Sequence, residues 1–195
     1  MRIVTLMGSP RKRGNTARIL AEVEARLASD HVVDRVDVID YDINGCRGCE
    51  VCQRTLDAPG CVQQDDVPAL FERMMAADVL IYASPVYSWG FTAQLKALVD
   101  RHYCLTKWQD DEVARSFLDD KAAALLVTCA GDAATNADTM QVAFERQMDC
   151  SGCHIVGQYV VDRTTTPKEA LALAGDVIKR MVADIAAVAA SHADD

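Results

Sequence analysis

No stretch of the sequence approaches the ~20 apolar residues that a membrane-spanning helix needs. Met1 is followed at once by the strand-like run RIVTLM, with no charged leader and no apolar signal core. The expectation is a soluble, unexported, cytoplasmic protein with no membrane partner. Positive charge is scarce, since 20 Lys and Arg face 29 Asp and Glu for a formal charge of −9. Such a surface repels nucleic acid and anionic lipid, except at the local basic patch Arg11-Lys12-Arg13. Familiar nucleotide signatures are missing too. There is no GxGxxG, and the first glycine-rich turn is not a Walker A loop. Five residues separate Gly8 from Gly14, and Asn15 stands where that loop has lysine. That turn also holds no cysteine, which excludes a Cys-x5-Arg phosphatase cradle. Histidine is sparse: His31, His102, His154 and His192 form no Ser-His-Asp or Cys-His-Asp group. All four read as incidental, and no essential protein acid or base is expected.

What the chain does have is alternation. Apolar strand-like runs at 2–7, 32–39, 78–83, 122–128 and 154–161 are separated by segments with helical spacing at 17–28, 66–75, 92–104, 136–149 and 168–190. Asp65 and Asp66 are helix-cap candidates, with Pro68 tolerated in the first turn. Residues 105–120 are charged and read as loop. This rhythm predicts an α/β fold, a doubly wound five-stranded parallel sheet with helices on both faces. The 195 residues suffice for one domain, 1–195, with 42–64 as an aperiodic cysteine-rich insertion after the second strand.

Ligands of open α/β sheets bind beyond the carboxyl ends of the strands, so the loops after strands one, three and four matter most. In the first, GSPRKRGNT, glycines let the backbone curl around an anion, and Ser9, Asn15 and Thr16 offer donors. The helix starting near Asn15 aims its amides at the same spot; the plainer reading is a solvated basic turn with a helix cap. In the second, SPVYSWG, Tyr87 and Trp89 can flank a planar ring, unless they are ordinary semi-buried aromatics. In the third, Thr128-Cys129-Ala130-Gly131, small residues leave room for a ring that Thr128 can hydrogen-bond, and Cys129 reads as a small buried residue. Together the loops describe a site for a phosphorylated ring system, a flavin.

Cys46-x2-Cys49-x2-Cys52-x8-Cys61 carries further chemistry. In a reducing compartment, clustered cysteines point to metal, cluster or redox roles. Cysteines two residues apart can turn three sulfurs onto one face of an iron–sulfur cube, with the fourth arriving later. Gly45, Gly48 and Pro59-Gly60 supply the turns. Three readings stand: a [4Fe–4S] cluster, free or redox-active thiols, and zinc on four thiolates. The lone Cys150-x2-Cys153 pair reads as packing.

GSPRKRGNT, SPVYSWG followed by Gln94-Leu95-Lys96 and Asp100-Arg101, and the cysteine segment ending in Asp65-Asp66 resemble the NAD(P)H-dependent FMN reductases of the flavodoxin-like superfamily. Their iron–sulfur flavoprotein branch is especially similar, and the resemblance runs over nearly the whole chain. It implies a flavodoxin-like sheet with strand order 2-1-3-4-5. It also implies that Ser9, Arg11, Asn15 and Thr16 hold the FMN phosphate, that Pro85, Val86, Tyr87 and Trp89 line the isoalloxazine, and that Thr128 and Gly131 face it. Arg13, Gly14, Ser88, Gly90 and Cys129 complete the candidate cofactor residues. NAD(P)H is then a transient co-substrate that reduces the flavin before an acceptor enters. On the cluster reading, the cluster would sit near the flavin and pass single electrons to or from a ferredoxin-like partner, and the resemblance implies a homodimer or homotetramer. The rivals are a non-enzymatic electron carrier and a zinc-stabilised, flavin-free interaction protein.

Overall fold

The computed structural model describes residues 1–191, so His192 lies outside the described residues. Five parallel strands form the sheet: β1 (Arg2–Met7), β2 (Val32–Asp37), β3 (Val79–Pro85), β6 (Ala122–Thr128) and β7 (His154–Val161). Their order is β2-β1-β3-β6-β7, which is 2-1-3-4-5 when only these strands are counted. Alternate residues of a strand point to opposite faces, and this chain uses both. Val4, Leu6, Leu80, Tyr82, Leu125 and Val127 pack under α2 (Val67–Met75), α3 (Ala93–Asp100) and α5 (Asp138–Cys150). Ile3, Met7, Val79, Ile81, Ala124 and Leu126 pack on the other face, under α1 (Asn15–Leu27) and α7 (Gly175–Ser191). Burial on both faces is why β3 and β6 read as unbroken apolar runs rather than alternating ones.

Three segments differ from the sequence reading. Residues 105–120 are not a loop, because β4 (Thr106–Gln109) and β5 (Glu112–Ser116) pair as an antiparallel hairpin. The turn between them is Asp110-Asp111, both at positive φ (51° and 64°). A two-residue hairpin turn needs that conformation, but Asp-Asp lacks the glycine that usually advertises it. The long final helix is two helices, α6 (Pro167–Leu173) and α7, broken at Gly175. Glycine is a poor helix former, and the break lets α6 pack on α1 while α7 packs on β7. The helix expected over 92–104 ends at Asp100 and continues as a tighter 3₁₀ turn, Arg101–Cys104. A short α4 (Ala133–Asn136) precedes α5. Among the described residues, no helix is long and apolar enough to cross a membrane.

Thr92 joins the first and second loops. Its fully buried hydroxyl donates to Gly8 O at 2.5 Å and accepts from Leu95 N at 3.3 Å, capping α3. A Cβ on Gly8 would come within 2.7 Å of Leu95 Cδ2, so only glycine lets α3 start this close to β1. Thr92→Val keeps the shape but strands the Gly8 carbonyl and uncaps the helix. A loss of about 2 kcal/mol is expected in urea unfolding; an unchanged midpoint would count against this account.

Candidate functional site

Beyond the carboxyl ends of β1, β3 and β6 lies an open crevice of about 590 Å³. The first loop contributes Ser9, Arg11, Gly14, Asn15 and Thr16 to its walls. Helix α1 begins here with Gly14 as its N-cap, no side-chain capping bond and no acidic residue in its first turn. Neither Asn15 nor Thr16 caps it, so the helix's positive end is uncancelled by any side chain. Ser9 is buried, and its Oγ accepts from Arg11 N at 3.1 Å, which leaves the hydroxyl proton to donate elsewhere. Of the three consecutive cations, Lys12 turns away to pair with Asp40 at 2.5 Å. Arg11 and Arg13 form no ion pair among the described residues. Arg13 lines an adjoining cavity of about 620 Å³, shared with Arg11, Gly14, Asn15, Thr165 and Pro167, rather than the main crevice.

The second loop contributes Pro85, Val86 and Tyr87. Tyr87 and Gly90 exchange two backbone hydrogen bonds of 3.0 Å each, folding Ser88 and Trp89 into a tight turn with φ of 47° and 60°. Its tip is not a wall of the crevice. Trp89 leans instead on the start of the α4–α5 segment: its Nε1 donates to Thr135 O at 3.1 Å, and its carbonyl accepts from Thr139 Oγ1 at 2.5 Å. Ser88, Trp89 and Gly90 are therefore placed at the rim, and neither Tyr87 nor Trp89 is a core aromatic, being 44% and 62% exposed.

From the third loop come Thr128, Cys129 and Ala130. Thr128 Oγ1 lies 2.7 Å from Thr16 Oγ1, a buried contact that fixes the first loop to the third and leaves one of the two hydroxyl protons to donate elsewhere. Burial pushes the Cys129 thiol up, and its Sγ donates to Gly131 O. It is a packing residue. Gly131 is not on the crevice wall, because it packs beneath Asn136. The sequence reading missed Thr164 and Thr165, which close the crevice from the loop after β7. The neighbouring position of β7 beside β6, with the run Thr164-Thr165-Thr166, was the signal for them.

The cysteine segment makes a second, separate pocket with no lining residue in common with the first. Cys46 and Cys49 are exposed, Cys52 is buried and Cys61 half-buried; all four line one small pocket. A fifth thiol, Cys104, reaches it from the turn after α3. Gly48 and Gly60 take the left-handed conformation (φ 63° and 67°), as tight turns there require. Burial pushes the Cys104 thiol up to about 12, with the neighbouring Cys61 and Cys52 adding to it. Burial also raises Cys52, and Lys107 opposes that rise. Arg101 is buried at the same pocket, with Nη1 donating to Asp65 Oδ2 at 2.6 Å and to Asn44 O at 2.7 Å. Its Nε has no partner among the described residues. Burial raises the Asp65 carboxyl, but the Arg101 guanidinium and the amides of Asn44 and Val67 outweigh this and hold it below the usual carboxylate range. Asp65 is thus an ion-pair residue rather than a simple helix cap. Among the described residues, no three His, Cys, Asp or Glu side chains gather around a single ion position.

The remaining cysteines and histidines sort simply. Cys153 donates to Leu118 O at 3.3 Å, its thiol raised to about 12 by burial. His154 is exposed beside Asp120. His102 is anything but incidental to packing: it is fully buried, edge-on to Phe71 and Tyr82 at 5.9 Å each, with both ring nitrogens unpartnered.

With this geometry in place, comparison with known proteins is decisive for the family. The model of the NADPH-dependent FMN reductase family matches residues 1–164. The chain belongs to that family. Similar to this NADPH-dependent FMN reductase family member are an iron–sulfur flavoprotein of Methanosarcina thermophila and one of Archaeoglobus fulgidus. The first is 37% identical over 108 residues, covering 55% of each chain. The second is 39% identical over 102 residues, covering 52% of this chain and 45% of the relative. The chain spans about half the length of the curated relatives it matches. In fold it is similar to an NAD(P)H:quinone oxidoreductase from Methanothermobacter marburgensis, with a TM-score of 0.75 at 16% identity, covering 94% of this chain and 97% of the other. It is also similar to an FMN-dependent NADH-azoreductase from Bacillus anthracis solved with FMN, with a TM-score of 0.69 at 10% identity, covering 94% and 98%. Likenesses at this identity establish the flavodoxin-like fold.

Proposed function

We propose that this family member is an FMN-dependent oxidoreductase that takes electrons from NAD(P)H or a ferredoxin-like donor and passes them to a small or protein acceptor. The observation that carries this reading is the union, in one crevice, of an uncapped helix amino end with Ser9 and Arg11 at one side and Tyr87, Thr128 and the small residues Cys129 and Ala130 at another. The former suits a phosphate dianion; the latter leaves room for a ring. FMN bound there supplies the hydride and single-electron chemistry. The chain's own residues bind and orient: Ser9 donates its hydroxyl, Arg11 its guanidinium, and the Thr16–Thr128 contact holds the two loops at a fixed separation. Family resemblance adds a homodimer or homotetramer.

We assign the second pocket to a [4Fe–4S] cluster held by Cys46, Cys49, Cys52 and Cys61. In a cube each thiolate bonds a different iron, so sulfurs spread around a small pocket suit it. Zinc on the same four thiolates is the rival occupant, and iron with acid-labile sulfide analysis separates the two. Names of the similar relatives support the cluster.

Arg11→Ala is expected to weaken FMN binding about 10- to 100-fold, the worth of one charge-assisted contact, as read by flavin fluorescence titration. Anaerobic NAD(P)H titration and turnover with a quinone or ferric acceptor test the reaction. Wild-type protein that takes up no FMN would sink the reading; bound FMN without turnover would favour the electron carrier.

A further inference from the structure

The β4–β5 hairpin is docked on the cysteine loop by two side chains. Gln53, next to Cys52, donates through Nε2 to Tyr103 O at 2.9 Å and Thr106 O at 3.0 Å, and its Oε1 accepts from Trp108 N at 3.1 Å. Lys107 goes deeper. It is fully buried, and its Nζ donates to Cys52 O and to Pro59 O, each at 2.9 Å. Those carbonyls stand at the two ends of the eight-residue gap between Cys52 and Cys61, so one ammonium closes the long loop.

The charge balance here is unusual. Arg101 has Asp65 for a partner, but Lys107 has no carboxylate within ion-pair distance among the described residues. Its ammonium meets the two carbonyls and lies 5.7 Å from the centre of the Phe117 ring. A buried cation without a counter-ion is costly. The side chains around it are the thiols of Cys52, Cys104 and Cys61, which balance its charge only as thiolate ligands, while Arg115 adds to the positive side.

We propose that Lys107 is the clamp and built-in counter-charge of the four-cysteine group. This rests on the cluster assignment above. An oxidised [4Fe–4S] centre with four thiolates is a net dianion, and its one-electron-reduced form is a trianion. A fixed buried cation stabilises the reduced form more, and so raises the potential. Lys107 is a positioning residue: it touches the backbone that carries the ligands rather than the ligands' sulfurs.

The test uses the holoprotein, reconstituted anaerobically with ferrous iron and sulfide, in wild-type, Lys107→Met and Lys107→Arg forms. Iron, sulfide and FMN per chain are measured, and the cluster is titrated electrochemically with EPR detection. For Lys107→Met we expect wild-type FMN content, faster iron loss to a chelator, and a reduced state weakened about tenfold, a fall of about 59 mV for one electron. Lys107→Arg, which keeps the charge, should hold the potential near wild type. Should Lys107→Met not fold, Lys107→Arg alone decides: a potential near wild type supports the proposal, and a clear fall overturns it. Wild-type potential and iron retention in Lys107→Met also overturn it, with the cluster assignment intact. Wild-type protein that binds no iron overturns the cluster assignment and this inference together, while leaving the FMN crevice untouched.

Discussion

Replacing Asp65 with alanine is expected to destabilise the fold by about 3–5 kcal/mol, the cost of leaving a buried charge without its partner. The Arg101 and Asp65 side chains are 1% and 0% exposed and 2.6 Å apart. Arg101 cannot shed its proton, and its remaining acceptor, Asn44 O, does not neutralise it. Asp65→Ala, Arg101→Met and the double variant form a cycle to be read by denaturant unfolding. The double variant should recover much of the loss, since an apolar pair needs no counter-ion. A loss under about 1 kcal/mol in Asp65→Ala would mean that solvent reaches the pair. The change should also loosen the cysteine segment, because Asp65 accepts from Asn44 N at 3.1 Å just before Gly45 and Cys46.

Acid should weaken the protein well before its carboxylates titrate, through His102. Burial, opposed in part by Asp100, lowers this imidazole from 6.5 to about 4. Between those two values the unfolded chain binds a proton that the folded protein refuses. Stability from this source is therefore complete above about pH 6.5 and drains away as the pH falls towards 4. The whole window is worth about 3 kcal/mol, and about 2 kcal/mol is gone by pH 5. Asp65, whose carboxyl is lowered, adds its own loss only further down, as the pH falls below the ordinary carboxylate range. Urea unfolding at pH 7 and pH 5 separates the two. Wild type should lose about 2 kcal/mol more than His102→Leu over that interval, and equal losses would refute the assignment.

The main sheet was legible because its strands are buried on both faces and its helices carry one apolar stripe. Ile3 to Met7 and Ala122 to Thr128 leave no other reading. The first loop was legible for a similar reason, since glycines, small donors and cations in one turn have few other uses. Elsewhere the signal was conformational rather than compositional. Asp110-Asp111 forms a hairpin turn without glycine, so the hairpin beneath the cysteines passed for loop. The positive φ at Ser88 and Trp89, which sets the Trp89 indole against Thr135 O, has no signature in composition. Gly131 sits where the crevice would be expected, yet Asn136 claims its surface. Thr164 and Thr165 lie in the loop beyond the end of β7, and they reach the crevice because that strand sits beside β6. Cys104 joins the other thiols only because the turn after α3 brings it there, more than forty residues further along the chain.

The chain has just two tryptophans, and each attends a different pocket. Trp89 stands at the rim of the crevice with its indole bonded to Thr135 O, while Trp108 lies on the hairpin whose backbone grips Gln53 beside Cys52. Nature has thus wired the molecule with two separate lamps. Swapping either indole for phenylalanine leaves an emission that follows one chamber alone, so filling of the two can be watched independently in a single cuvette.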